Sequence, residues 1–436
     1  MADFATSSDP AVQAQLDRLG SPAYATDILG LERITALLDQ LDRPQDRLPP
    51  VFHVAGTNGK GSTCAFLRAA LEAAGHRVHA FTSPHLVRFN ERIRIAGTLI
   101  DDAALARLLA EVLDANDGID GSFFEVATAA ALLAFSRTPA DALILEVGLG
   151  GRLDATNVVD RPLVTAIASL GLDHQYYLGN SLTGIAAEKA GIAKRGVALV
   201  TQSYPPEISA KIAGVAAAVG APLLARGERW VVMVRDGALH YRDAQGELAL
   251  PLPRLTGGHQ TLNAGLAIAM LRHQSMLAVP EAALAEAMTG TTWPARLQRL
   301  DTGALLDALP AGSELWIDGG HNPDAARLVA DHARQAWRDG LPLALMFASL
   351  KTKDAAAILA PFKGIAAHIH TLPIAGHDSR DPVELAALAQ DMGFDAAPHA
   401  DLAAALAAMA QPARVLIFGS LYLAGVALGS NGSLPD

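Results

Sequence analysis

Short apolar runs bounded by glycine alternate with helical stretches along most of this 436-residue chain. That rhythm predicts a mainly parallel sheet flanked by helices. LPPVFHVAG predicts a strand entering a glycine loop, and STCAFLRAALEAAGH a helix that closes near Gly75. RVHAFTSPHL predicts a second strand that runs into a Ser-Pro loop. FFEVATAAALLAFSR predicts a long apolar helix, and DALILEVGLGG and LVTAIASLGLDH two more buried strands. LTGIAAEKAGIAK follows as a helix and GVALVTQ as a strand. From about residue 226 to 252 polar and apolar residues alternate around Asp-Gly and Gln-Gly turns, which predicts an antiparallel hairpin. HQTLNAGLAIAMLRHQ restarts a helix. The pattern breaks at WPARLQRLDTGA, and a second βα series runs from ELWIDGGHNPDAARLVADHARQAW through PLALMFAS, AAHIHTLPI and ARVLIFGS. Two α/β domains are expected, residues 1–297 and 298–436, the second large enough for its own core.

Composition narrows the functional classes. A net charge of −11 argues against nucleic acid, whose binders carry a positive footprint. It leaves room for anionic small ligands, which need only a local positive site. No apolar stretch approaches the length that spans a bilayer. MADFATSSDP is acidic and has no apolar run behind a basic start, so no signal peptide is expected. The single cysteine, Cys64, excludes an intrachain disulfide framework. A cytoplasmic protein is expected.

The chemistry concentrates at strand ends. HVAGTNGKGST, starting at His53, resembles a phosphate-binding loop but departs from G-x-x-x-x-G-K-[ST] twice: Val54 stands at the first glycine, and Gly61 precedes the hydroxyls of Ser62 and Thr63. A strand, a glycine turn and a helix N-terminus together still present free N–H groups to an anion. Gly56, Gly59 and Gly61 let the backbone approach it, and Lys60 supplies a mobile cation. FTSPHL places Ser83 and His85 at the same sheet edge, although alone it is only a turn; the arginines of ERIRI could equally be a solvated strand face. LEVGLGGRLDATN puts Glu146 on an apolar strand, where an unpaired carboxylate is costly. Its partner is either a magnesium ion near a triphosphate or an arginine. SLGLDHQYYLG ends a further strand with Asp173 and His174, and AAEKAGI places Lys189 on a helix. A histidine beside magnesium would be unusual, since the ion prefers oxygen. In the second series, IDGGHNPDAA ends a strand at Asp318, with Asn322 and Pro323 as cap and first-turn proline. Asp318 reads equally as a ribose acceptor or as part of a plain capping turn. HDSRDP, from His377, is a polar loop of similar ambiguity.

Taken in order, HVAGTNGKGST, TSPHL, FFE, LEVGLGGRLDATN, LDHQYYLG, EKAGI, GGHQTLNA, WPARLQ and DGGHNPDAA resemble the folylpolyglutamate synthase and dihydrofolate synthase family, within the Mur-ligase superfamily of ATP-dependent amide-forming enzymes. The resemblance implies a P-loop ATPase domain and a C-terminal Rossmann-like domain with ATP held across the cleft. It implies that Thr57, Asn58, Gly59 and Lys60 meet the phosphates, with Asn263, Arg296 and Asp318 as further ATP contacts. It implies magnesium at Ser83, Glu146 and His174, and a carboxylated Lys189 holding a second magnesium. Ser122, Phe123, Phe124 and Glu125, with Leu153, Asp154 and Ala155, match the dihydropteroate pocket. His321 matches a position near the transferred phosphate. A monovalent cation is an optional third ion, and the family suggests a monomer. Two positions depart from the family pattern: Gly320 stands where alanine is usual and Ala295 where glycine is usual.

The implied reaction is ATP-dependent ligation of L-glutamate to the carboxylate of dihydropteroate, to the γ-carboxylate of reduced folates, or to both, through an acyl phosphate. A cell-wall Mur ligase would need an additional N-terminal domain, and only about fifty residues precede the P-loop. A nucleotide switch would need neither the pterin-loop match nor the nucleotide residues of the second domain.

Overall fold

A computed structural model of the chain describes residues 5–20 and 29–435; part of the N-terminal stretch read above for a leader lies outside them. The strongest apolar runs form the centre of an eight-stranded sheet. Its strands are β1 (Val51–Ala55), β2 (Val78–Phe81), β3 (Ile93–Ile95), β4 (Thr98–Leu99), β5 (Ala142–Glu146), β6 (Val164–Ile167), β7 (Leu199–Thr201) and β8 (Leu223–Ala225). They lie in the order β4-β3-β2-β5-β1-β6-β7-β8. From β2 to β8 every neighbouring pair is parallel, and β3 and β4 close one edge antiparallel. Every residue of β1 and β5 is buried, because helices cover both faces of a parallel sheet. The helix Phe123–Arg137 has twelve buried residues of fifteen, so it has no solvent face and lies inside the core. Parallel strands deliver their C-terminal ends to one edge, and the residues following β1, β2, β5 and β6 gather there.

The hairpin region is a three-stranded antiparallel sheet of β9 (Trp230–Arg235), β10 (Ala238–Asp243) and β11 (Gly246–Leu250). Asp236 (φ 52°) and Gly237 (φ 74°) make the first turn, both in the left-handed region that short hairpin turns require. Arg272, at the end of the helix Gly258–Arg272, grips Asp243 with two hydrogen bonds of 2.8 and 2.7 Å. Tyr241 donates to the same carboxylate at 3.0 Å. This fork ties the small sheet to a helix far away in sequence.

The second compact unit comprises Leu255–His259 and Trp293–Pro435. Its strands are β12 (Gln298–Leu300), β13 (Glu314–Ile317), β14 (Leu343–Phe347), β15 (Ala366–Thr371), β16 (Ala396–Pro398) and β17 (Arg414–Phe418), ordered β12-β13-β17-β14-β15-β16. All pair parallel except β12 with β13. Leu345, Phe347, Leu416 and Phe418 pack against Ala326, Val329, Ile358 and Leu385 in its core. The unit starts a few residues before the expected boundary because Leu297 belongs to this core and its amide donates to Asp318 at 2.8 Å. Among the described residues no helix is long and apolar enough to cross a membrane.

Candidate active site

The chain leaves β1 and turns through Gly56 (φ 152°) and Gly59 (φ 84°) into the helix Lys60–Ala73. A Cβ on Gly56 would lie 2.9 Å from the Ala168 Cβ, and one on Gly59 would lie 2.4 Å from Asn263 Oδ1. Close packing on Ala168 therefore demands glycine at position 56 beyond what φ requires, whereas at 59 the positive φ makes the demand and Asn263 adds crowding. The amides of Thr57 and Asn58 donate to the Ser169 carbonyl at 2.8 and 3.2 Å, and Thr57 Oγ1 donates to the Gly171 carbonyl at 3.1 Å. The loop is thereby pinned to the segment after β6. The first N–H groups of the helix have no acceptor within it, an arrangement fit to cradle an anion. Asn263, 5 % exposed, backs this cradle.

At the same edge Lys60 Nζ lies 3.9 Å from Glu146 Oε1, and the Ser83 amide donates to Glu146 Oε2 at 3.2 Å. The strand-end carboxylate is buried and faces a lysine; Arg152, the alternative partner, instead pairs with Glu188 at 2.9 Å. A buried carboxylate beside a backbone amide and a serine suits a hard divalent ion bound with phosphate oxygens and water. Asp173 is buried and accepts the His174 amide at 2.8 Å. His174 itself is exposed, with φ 50°, so its ring is not enclosed as Glu146 is. Among the described residues no three His, Cys, Asp or Glu side chains form a metal cage; the expected set contains only two of those types. Lys189 is 4 % exposed. Burial first, and then the Lys60 charge, lower its ammonium to about 7, with Asp173 and Asp154 opposing. A lysine with that affinity for protons is substantially neutral near pH 7 and therefore nucleophilic.

The expected acceptor pocket forms part of the same unit. Ser122 and Glu125 make a capping box for the helix Phe123–Arg137, with the Ser122 amide donating to Glu125 Oε2 at 2.8 Å. Arg33 Nη2 pairs with that oxygen at 2.8 Å. These two polar side chains thus hold the loop, and Phe123 enters the core. Phe124 lies over the next loop, so close that a Cβ on Gly148 would meet its ring at 2.3 Å. Asp154 and Ala155 are buried and Leu153 half-buried. Gly151 lies against the Lys189 backbone, where a Cβ would come within 2.9 Å of its Cα. The loop of residues 147–157 therefore joins Phe124 to Lys189.

In the second unit Asp318 is buried and clamps a strained loop. It accepts the Leu297 amide at 2.8 Å and the Gly320 amide at 2.7 Å. Ala295 (φ 56°) and Leu297 (φ 46°) flank Arg296 in the left-handed region, and the Gly319 amide returns to the Ala295 carbonyl at 2.9 Å. Arg296 is half-buried and opposes the burial that raises the Asp318 carboxyl. His321 Nδ1 lies 2.9 Å from the Gly319 carbonyl. A methyl on Gly320 would lie 2.8 Å from Asp318 Oδ1 and from the Phe418 ring, so this chain's glycine suits its close turn. Ala295 has the opposite fit, since glycine enters its conformation freely. Ala295→Gly should raise stability by about 0.5–1 kcal/mol, the relief at positive φ less the entropy glycine adds to the unfolded chain. Urea unfolding checks this, and a lower midpoint would contradict it. HDSRDP closes on its own unit: His377 stacks on Tyr422 with centroids 3.8 Å apart, and Asp381 caps the helix Pro382–Asp391.

Three contributors escaped the sequence reading. Arg92 is fully buried; its Nε donates to His85 Nδ1 at 2.9 Å, and its guanidinium lies over Phe89 and Phe123 at 5.5 and 5.4 Å. The solvated face allowed for ERIRI does not extend to it. Arg33 and His53 act through residues about ninety and one hundred positions away, and no local pattern marks such pairings.

No family model matches the chain. It is 36 % identical over 396 residues to the dihydrofolate synthase/folylpolyglutamate synthase of Escherichia coli K12, covering 90 % of this chain and 89 % of that one. It matches the structure of E. coli FolC in complex with DHPP and ADP with a TM-score of 0.85 and 33 % identity, over 97 % of both chains. A bifunctional folylpolyglutamate synthase/dihydrofolate synthase with Mn, AMPPNP and L-glutamate bound matches with a TM-score of 0.83 and 32 % identity, over 96 % of this chain and 97 % of that one. Identity of this extent, across both units and with the motif order intact, means that the chain belongs to the dihydrofolate synthase/folylpolyglutamate synthase family.

Proposed function

We propose that this protein joins L-glutamate to the carboxylate of dihydropteroate, to the γ-carboxylate of reduced folates, or to both, at the expense of ATP. The observation that carries the reading is the glycine-bounded cradle with Lys60 facing buried Glu146, in a family whose solved members hold ADP with DHPP or AMPPNP with Mn and L-glutamate. A carboxylate has a poor leaving group and does not acylate an amine at neutral pH. In the proposed sequence its oxygen attacks the γ-phosphate of ATP, ADP leaves, and an acyl phosphate forms. The glutamate amine then attacks the acyl carbon, loses its proton, and phosphate leaves.

In this reading Thr57, Asn58, Gly59 and Lys60 hold the phosphates, and Asn263, Arg296 and Asp318 keep the nucleotide-contact roles their motifs imply. Lys60 offsets charge on the transferred group. Ser83, Glu146 and His174 hold one divalent ion, magnesium by preference for oxygen, and a carboxylated Lys189 a second. The ions supply electrostatic stabilisation of the phosphate oxygens when bound. Phe124 and the segment of Leu153, Asp154 and Ala155 form the dihydropteroate wall, which Ser122, Phe123 and Glu125 position. His321 is assigned a role at the transferred phosphate by its place in the family motif. We infer a cytoplasmic monomer. The test is ATP turnover that requires both L-glutamate and a pteroate or folate acceptor, with the glutamylated product seen by mass spectrometry; turnover indifferent to glutamate would refute the reading.

A further inference from the structure

His53 lies in the middle of β1, three residues before the phosphate loop begins to turn, and is 0 % exposed. Its Nε2 lies 2.8 Å from Thr156 Oγ1. The hydroxyl of Thr156 donates onward to Asp154 Oδ1, so its oxygen is left to accept, and His53 must be the donor, protonated on Nε2. Its Nδ1 is buried with no hydrogen-bond partner. Burial holds the ring neutral, with a proton affinity lowered to about 3, and the Lys194 charge adds to this. An apolar residue would avoid the cost of an orphaned buried nitrogen. What imidazole adds here is one directed N–H.

That N–H reaches the far side of the fold's central loop. Asp154 Oδ1 also accepts the Thr156 amide at 3.0 Å, and Asp154 Oδ2 accepts the Leu149 amide at 2.8 Å. The carboxylate thereby closes residues 149–156 into a ring. The same loop abuts Phe124 through Gly148 and the Lys189 helix through the Arg152 amide, which donates to the Glu188 carbonyl at 2.8 Å. The chain His53, Thr156, Asp154, Leu149 therefore runs from the strand that carries the phosphate loop to the loop that faces Phe124.

We propose that His53 is a positioning residue for acceptor binding: through Thr156 and Asp154 it fixes the 147–157 loop against the strand that carries the phosphate loop. The proposal rests on the reading that this loop meets the pteroate or folate acceptor. His53→Phe and His53→Leu remove the N–H, whereas His53→Gln can restore a donor in the place of Nε2.

The experiment measures steady-state kinetics with dihydropteroate and, separately, hydrogen–deuterium exchange of the ligand-free protein. The disabling variants should raise the KM for dihydropteroate about tenfold, the size of one lost buried hydrogen bond, with kcat and the KM for ATP near wild type. Exchange should quicken in residues 147–157 and not in the helix Lys60–Ala73, and His53→Gln should reverse both effects. Unchanged acceptor KM and loop exchange in both disabling variants would overturn the proposal. So would a His53→Gln protein as impaired and as destabilised as the other two, since that marks mere packing. Exchange needs no substrate, so it decides on the relay even if wild-type protein glutamylates neither dihydropteroate nor a reduced folate, a result that would refute the functional reading alone.

Discussion

Lys60→Ala should reduce kcat by roughly 10²–10³-fold, or ~2.7–4 kcal/mol of barrier, the usual effect of deleting one preorganised charge-stabilising group. The fold should survive. The lysine stands in the first turn of its helix, and its ion pair with Glu146 is long, at 3.9 Å. Charge opposite a phosphate is what the substitution removes; the glycine cradle and the amides held by Ser169 do not depend on it. A second consequence follows from electrostatics. The Lys60 charge is, after burial, the next cause lowering the Lys189 ammonium, so its loss should raise the Lys189 proton affinity. Single-turnover phosphoryl transfer and thermal unfolding, measured together, test the pair of expectations. A variant that retains more than about a tenth of wild-type turnover would remove Lys60 from the reaction.

Lys189→Ala should cost activity on a similar scale, and its chemical state can be read directly. Neutral lysine attacks carbon dioxide to form a carbamate; the nitrogen loses a proton, and a cation becomes an anion able to hold a metal. Burial and the Lys60 charge hold the amine at about 7, against about 10.4 for an unperturbed lysine. Between those values the unfolded chain binds the proton and the folded chain does not, so this group's contribution makes stability rise with pH from about 7 upward. Below about 7 the buried ammonium is charged, stability is lowest and the nucleophile is lost. Protein equilibrated with ¹³C-bicarbonate should therefore show a carbamate resonance at pH 8 that fades below about 7 and is absent from Lys189→Ala. A labelled signal that persists in the variant, or none in wild type at pH 8, would contradict the assignment.

Much of this was legible in the chain. Buried parallel strands have few polar positions, so VFHVA, ALILE and RVLIF announced themselves as apolar runs, and glycine turns marked where they end. The motifs fell at one sheet edge because parallel topology sends every strand's C-terminal end there. What stayed hidden depends on distant partners. Arg92 looks like an ordinary surface cation until His85, Phe89 and Phe123 surround it. The short edge strands β8, β12 and β16 carry three residues each, too few for a period to register. The Arg272–Asp243 fork, which ties β10 of the small sheet to a helix, joins residues twenty-nine positions apart, beyond any local pattern. Ser122 and Glu125 illustrate the converse. Their motif was plain, but only the structure shows Ser122 Oγ and Glu125 Oε2 committed to a helix cap and to Arg33.

The two departures of the phosphate loop also acquire a physical meaning. The turn does not need glycine at Val54, which is a fully buried strand residue, because Gly56 makes the close approach to Ala168. Ser62 and Thr63 lie buried in the helix, and Thr63 Oγ1 donates to the Gly59 carbonyl at 2.9 Å. The carboxylate that faces Lys60 is Glu146, on the neighbouring strand β5.

The central claim is that ATP cleavage here is coupled to amide formation with glutamate. Purified protein given ATP, magnesium, L-glutamate and either dihydropteroate or a reduced folate should release ADP and phosphate in step with the glutamylated product of at least one acceptor, and omission of glutamate should abolish the amide product. ADP release at the same rate without glutamate or acceptor, and no glutamylated product, would contradict it.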